Sequence, residues 1–212
     1  MKETILPQIK SIKSLWSYYL INHRKSFMFS LVYLIIALLI LKFFLQFIEH
    51  RDGFEFKDPI LCLFSPIDLT WLTCLLIYCS LFFSIIHFID KPRLFHIGVL
   101  TYAILVSLRV AAMYLLPLNP PQSMITLNDP FVQSFGFTDA LTKDLFFSGH
   151  TSTLFMLCLV SHHKLIKILL LICTILVGIF VLLQHVHYSV DVFVAPFFAF
   201  IAYYISIRIL PP

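Results

Sequence analysis

FMFSLVYLIIALLILKFFLQFI, residues 27–48, is an apolar run broken by one charge, Lys42. A bilayer core about 30 Å thick takes roughly 20 helical residues to cross, so this stretch predicts a membrane span, with Lys42 snorkelling to the boundary. Five further apolar runs follow at 69–89, 94–116, 148–163, 165–184 and 190–210. The 212 residues are 60% hydrophobic and 12% charged, whereas an ordinary soluble domain is about 25% charged. The pattern predicts an all-α, six-span integral membrane helix bundle.

Residues 1–26 precede the first run and carry Lys2, Lys10, Lys13, Arg24 and Lys25. Ile9, Ile12, Leu15, Trp16 and Tyr19 recur among them at helical spacing, which predicts a basic amphipathic helix lying on the membrane surface. The chain is expected to divide into this arm, 1–26, and one membrane domain, 27–212. The five cysteines are odd in number and lack metal-ligand spacing, so they read as small apolar residues.

Lysine and arginine set the expected orientation. With the N-terminus inside, ten of them face the cytoplasm and three (Arg51, Lys57 and Lys143) face the other side. Both termini are therefore expected to be cytoplasmic. The loop from Pro117 to Phe147 is then extracytoplasmic. It is rich in proline and carries Phe131, Phe135 and Phe137, which favours a binding element over a bare connector.

Two polar clusters open spans that run inward from that side. One is Asp144-Leu-Phe-Phe-Ser-Gly-His-Thr-Ser152, the other His185-Val-His-Tyr-Ser-Val-Asp191. Arg109 lies near the outer end of the third run. Counted at 1.5 Å per residue from the basic residue at the cytoplasmic end of its own span, Arg109 lies about 24 Å up, His150 about 21 Å and Asp191 about 26 Å. Three separate helices thus bring a guanidinium, an imidazole and a carboxylate to one depth, at the outer boundary. An intramembrane arginine is costly and is by default a functional candidate.

These residue types suit phosphoester chemistry. His187 can act as nucleophile, with Asp191 four residues on to hold its ring. Imidazoles exchange protons near neutral pH, so His150 can protonate a departing alkoxide. Arg109 can fork onto phosphate oxygens, and the Ser148-Gly149 backbone at a helix start can bind an anion. Asp144 and Tyr114 are candidate supports. No metal cage or cofactor motif is visible, so neither is expected, and nothing suggests a nucleic-acid partner. Plainer readings also fit: a histidine at headgroup level, a Ser-Gly helix cap, or His185, His187 and Asp191 around a metal ion. His162 and His163 lie about 20 Å along the helix from His150 and cannot join it.

Phe147-Ser-Gly-His-Thr151 and His187-Tyr-Ser-Val-Asp191 resemble the two signature blocks of sphingomyelin synthases, a branch of the type 2 phosphatidic acid phosphatase superfamily. Leu108-Arg-Val-Ala-Ala-Met-Tyr114 with Pro117 resembles a further block, and Ser65-Pro-Ile-Asp68 echoes a proline-aspartate motif. The resemblance implies that His150, His187 and Asp191 form a catalytic triad. It also implies metal-free transfer of a phospho-head group from a glycerophospholipid to ceramide or diacylglycerol, on the extracytoplasmic face. The Cys-Gly of the animal enzymes is Thr142-Lys143 here, and the superfamily's KxxxxxxRP block is not evident. A phosphatase using water as acceptor, and a non-catalytic lipid-binding or transport protein, are the alternatives. The compact chain leans towards a bacterial inner membrane.

Overall fold

The computed structural model describes residues 11–55, 57–127 and 141–210. Expectations placed on residues 1–10 and on Phe131, Phe135 and Phe137 lie outside these ranges. The described chain forms six α-helices: α1 (Ile12–Glu49), α2 (Thr70–Ile89), α3 (Pro92–Leu115), α4 (Gly149–Val160), α5 (Lys164–Leu183) and α6 (Ser189–Ile209).

α1 differs from expectation. The described part of the predicted surface helix is not a separate element but runs unbroken into the first apolar run, because no glycine or proline interrupts residues 12–49. The helix is 38 residues long, about 57 Å, and exceeds the thickness of a bilayer core. Five helices, α1, α2, α3, α5 and α6, are long and apolar enough to cross a membrane. α4 has 12 residues, about 18 Å, and falls short by length. It still carries the chain from one end of the bundle to the other: Phe147, just before it, meets Arg109, and His163, just after it, meets His87 at the far end of α2.

α3 is the most buried of the five long helices and packs against α1, α4 and α6. α6 presents small residues along one stripe, with Ala195, Ala199, Ala202 and Ser206 all fully buried. Without a hydrophobic force between helices in lipid, close backbone approach and dispersion hold such a seam. Thr101 of α3 donates to Ser206 Oγ at 2.9 Å, which closes the polar gap there. Phe147 is wholly buried and stacks on Phe198 of α6, with ring centroids 4.3 Å apart.

At the other end of these helices the loops bind one another. Asn119 and Gly53 exchange two hydrogen bonds, at 2.8 and 3.1 Å, and Phe54 forms a single bridge with Leu118. A Cβ on residue 53 would lie 2.5 Å from the Leu118 carbonyl carbon, so glycine is required for this approach. Leu61, Leu118, Leu145 and Tyr188, one from each of four segments, form a small buried cluster beneath the loops.

Candidate active site

Arg109, one and a half turns before the end of α3, turns towards the segment leading into α4. Its Nη2 donates to Asp144 Oδ1 at 2.6 Å and to the Asp144 carbonyl at 3.3 Å, and its Nε reaches the same Oδ1 at 3.2 Å. Nη1 donates to the Phe147 carbonyl at 2.8 Å. The guanidinium side chain is 8% exposed and the Asp144 side chain 28%. Four of its five N–H groups are thus engaged by protein. Arg109, expected to fork onto phosphate oxygens, is a clamp on residues 144–147, with one Nη1 hydrogen left over among the described residues.

Gly149 follows directly. A Cβ there would fall on Arg109 Nη1 and lie 2.6 Å from Cζ, so any larger residue would have to displace the guanidinium from its contacts. Ser148 caps α4: its Oγ accepts the Thr151 amide at 3.5 Å and lies 3.1 Å from Thr151 Oγ1. Its own amide donates to the Asp191 carbonyl at 3.1 Å. Ser148 was expected to offer its amide to phosphate, but that amide is taken by α6. The Gly149 amide at the first position of α4 lacks an intrahelical acceptor and points the helix dipole towards the site.

The second motif is shaped by a helix end. Gln184 closes α5, and His185 takes a left-handed conformation with φ 56°. The Val186 amide returns to the Val181 carbonyl and the His185 amide to that of Leu182, both at 2.9 Å. This is a Schellman turn with histidine where glycine is usual. It separates the neighbouring side chains. His185 Nδ1 lies 2.6 Å from Ser123 Oγ, Val186 enters an apolar cluster, and His187 faces Asp191. His185 therefore stands apart from His187 and Asp191, against the metal-site reading. Among the described residues no group of three suitable side chains could hold a metal ion.

His187 and Asp191 are 1% and 0% exposed, with His187 Nδ1 3.5 Å from Asp191 Oδ2. The same Oδ2 accepts the Tyr188 amide at 3.1 Å, which fixes the carboxylate at the start of α6. Asp191 Oδ1 is buried and has no hydrogen-bond partner among the described residues. His150 sits at the second position of α4. Burial pushes the Asp144 carboxyl up, but the Arg109 guanidinium pulls it further down, helped by His187 and His150, and the net shift is downward. Arg109, Asp144, Ser148, Gly149, His150, His187 and Asp191 come together at one end of the bundle. Tyr114 does not join them: it is 57% exposed, with its ring under the Arg51 guanidinium at 5.1 Å.

Three residues that sequence reasoning passed over hold this arrangement. Glu49, the last residue of α1, accepts the amides of Thr142 and Lys143 at 2.7 and 2.8 Å, just before Asp144. Asp58 accepts the Ser189 amide at 2.6 Å, at the first position of α6. Gln184 donates to Thr70 Oγ1 at 2.8 Å and accepts the Leu69 amide at 3.3 Å, tying α5 to the start of α2. The one signal available in the sequence was scarcity: the chain has only 11 acidic residues, so each outer-loop carboxylate was a candidate.

Residues 143–208 match a family model described as PAP2 superfamily, C-terminal. The match takes in Asp144, the Ser148-Gly149-His150 turn, His187 and Asp191, and leaves out Arg109. It supports the PAP2 superfamily, and with it a membrane enzyme of the lipid phosphatase or phosphotransferase kind. Comparison with curated proteins found no match.

Proposed function

We propose that the protein is a sphingomyelin-synthase-like phosphotransferase that moves a phospho-head group from a glycerophospholipid to a lipid hydroxyl, ceramide or diacylglycerol. The observation that carries this reading is the meeting of two buried motifs. The turn holding His150 is clamped by Arg109 and joined through Ser148 to Asp191, which faces His187.

With Nδ1 towards Asp191, His187 presents Nε2 to phosphorus. The P–N bond forms as the bond to the leaving diacylglycerol oxygen breaks, and His150 delivers a proton to that oxygen. In the second half, the acceptor hydroxyl gives its proton to His150 and attacks phosphorus, and the P–N bond breaks to restore His187. Asp191 stabilises the imidazolium, and the 3.5 Å separation is of the kind that tightens when substrate binds. The Gly149 amide, the α4 dipole and the remaining Arg109 N–H receive the equatorial oxygens.

Charge placement supports six crossings, α4 included, with termini in the cytoplasm and this site on the extracytoplasmic side, residues 27–212 acting as one domain. The test is reconstituted protein given a head-group-labelled glycerophospholipid, with and without ceramide or diacylglycerol. Transfer predicts a labelled new lipid, and an acid-labile phosphoprotein that is absent in His187→Ala. Release of label to water at the same rate without either acceptor would establish hydrolysis instead.

A further inference from the structure

At the end of the bundle opposite the site, the first turns of α1 and the α2–α3 turn enclose a groove of about 350 Å³. Its walls include Leu15, Tyr18, Lys91, Arg93, Leu94 and His162. The groove is held by specific contacts. Trp16 Nε1 donates to the Ile89 carbonyl at 2.8 Å, and the indole packs edge-on against Phe95 with centroids 5.5 Å apart. Tyr19 Oη and Ser30 Oγ bond the two nitrogens of the fully buried His96, at 2.7 and 2.9 Å. Those two residues are eleven apart, about 16.5 Å along a straight helix, and His96 of α3 is the partner they share.

Charge at this end is one-sided. Residues 11–25, 87–96 and 161–167 carry Lys13, Arg24, Lys25, Lys91, Arg93, Lys164 and Lys167 against one carboxylate, Asp90. Lys91 is partly engaged, donating to the His87 carbonyl at 3.2 Å and lying 3.7 Å from Asp90. Arg93 is exposed and takes part in no hydrogen bond or ion pair among the described residues. The nearby last turns of α2 leave Phe82, Phe83, Ile86 and Ile89 exposed, the surface expected to face acyl chains. A free guanidinium, a second cation and apolar walls at a membrane boundary match a lipid that is anionic at its head and apolar below.

We propose that this groove binds the headgroup phosphate of an anionic phospholipid, with Arg93 as its principal partner, Lys91 as the second, and Leu15 and Leu94 against the glycerol and upper acyl carbons. The site is separate from the candidate active site and does not rest on the phosphotransfer reading. Losing one cation at a charged leaflet weakens binding about fivefold.

The test uses the full chain carrying Trp71→Phe, which leaves Trp16 as its single tryptophan. It is reconstituted in phosphatidylcholine vesicles with rising fractions of brominated phosphatidylglycerol, or of brominated phosphatidylcholine as reference. Trp16 should be quenched at a lower fraction of the anionic lipid. Arg93→Gln should raise the half-quenching fraction about fivefold, and Arg93→Lys, which keeps the charge, by no more than about twofold. Lys164→Gln with Lys167→Gln, at the same end but outside the groove, should leave it unchanged. Equal quenching by both lipids, an equal effect of the control pair, or displacement by inorganic phosphate would each overturn the proposal. Unchanged thermal unfolding of Arg93→Gln shows that its loss is one of binding.

Discussion

The Arg109–Asp144 pair separates two roles for the guanidinium, and a double-mutant cycle decides between them. As a clamp, Arg109 needs its carboxylate: three contacts go to Asp144 and one to the Phe147 carbonyl. Removing one partner of a buried ion pair costs about 3–5 kcal/mol. Asp144 is 28% exposed, so water replaces part of the loss, and Asp144→Asn should cost near the lower figure, about 3 kcal/mol. For a chain of this length that lowers the unfolding temperature by roughly 6–12 °C. The catalytic effect follows from geometry, since Gly149 lies against the guanidinium. A shift of about 1 Å there predicts a fall of about 100-fold in the transfer rate.

Arg109→Lys keeps the charge but not the fork, and should lose a similar amount. The two changes break one device, so Arg109→Lys with Asp144→Asn should fall no lower than the worse single variant, within about twofold, which leaves a coupling energy towards the top of the usual range of about 0.5–3 kcal/mol. The assay is initial rate with labelled phospholipid, alongside thermal unfolding in the same detergent. Suppose Arg109 served chiefly to hold substrate phosphate. Asp144→Asn would then release the guanidinium and leave activity intact or lower KM. Intact activity, or losses that simply multiply, would refute the clamp.

Gly149→Ala should act through the same device: its Cβ displaces the guanidinium, so the transfer rate should drop about as far as in Asp144→Asn, read in the same assay. Asp58→Ala removes the acceptor at the start of α6 and should cost about 0.5–2 kcal/mol in thermal unfolding. Burial raises the Asp58 carboxyl, but the Ser189 and Ile60 amides lower it more, so it sits below its usual 3.8. Its contribution is whole above that value and fades as pH falls through the lower folded one. The gap between wild type and Asp58→Ala should therefore hold between about pH 5 and 8 and close in acid. Ala199→Leu places a bulky side chain in the fully buried small-residue stripe of α6 and should destabilise by about 1–3 kcal/mol, measured the same way.

What the sequence disclosed was whatever repeats locally or scales with length. The apolar runs located the helices, and residue counts along them put Arg109, His150 and Asp191 at one depth, where Ser148 and Phe147 now link their three helices. What stayed hidden depends on contacts between distant segments. Glu49 meets Thr142 across 93 residues and Asp58 meets Ser189 across 131, and no local pattern marks either. Ser148 and Arg109 were expected to face substrate because their chemistry suits phosphate. Each finds a partner inside the protein first, since an amide or guanidinium buried without one is costly. The Schellman turn escaped notice because its left-handed position holds His185 rather than the glycine that signals such a turn. The basic and partly apolar start of α1 suggested a separate surface helix, yet no glycine or proline in residues 12–49 breaks the backbone ladder.

The carboxylates explain why an anion could be received at this end at all. Among the described residues, Glu49, Asp58, Asp68, Asp144 and Asp191 lie in or beside the loops there, and such charges would ordinarily repel a phosphate. Each is turned onto a donor: Glu49 onto the amides of Thr142 and Lys143, Asp58 onto Ile60 and Ser189, Asp68 onto Thr70, Asp144 onto Arg109, and Asp191 onto Tyr188. The negative charge is thereby spent on holding helix starts and loop turns, where N–H groups point outward. In the proposed reaction the positive ends of α4 and α6 are then what the backbone offers to a substrate anion. Thus the acidic residues need not touch phosphate to matter, because by fixing the backbone they decide which donors stay open to it.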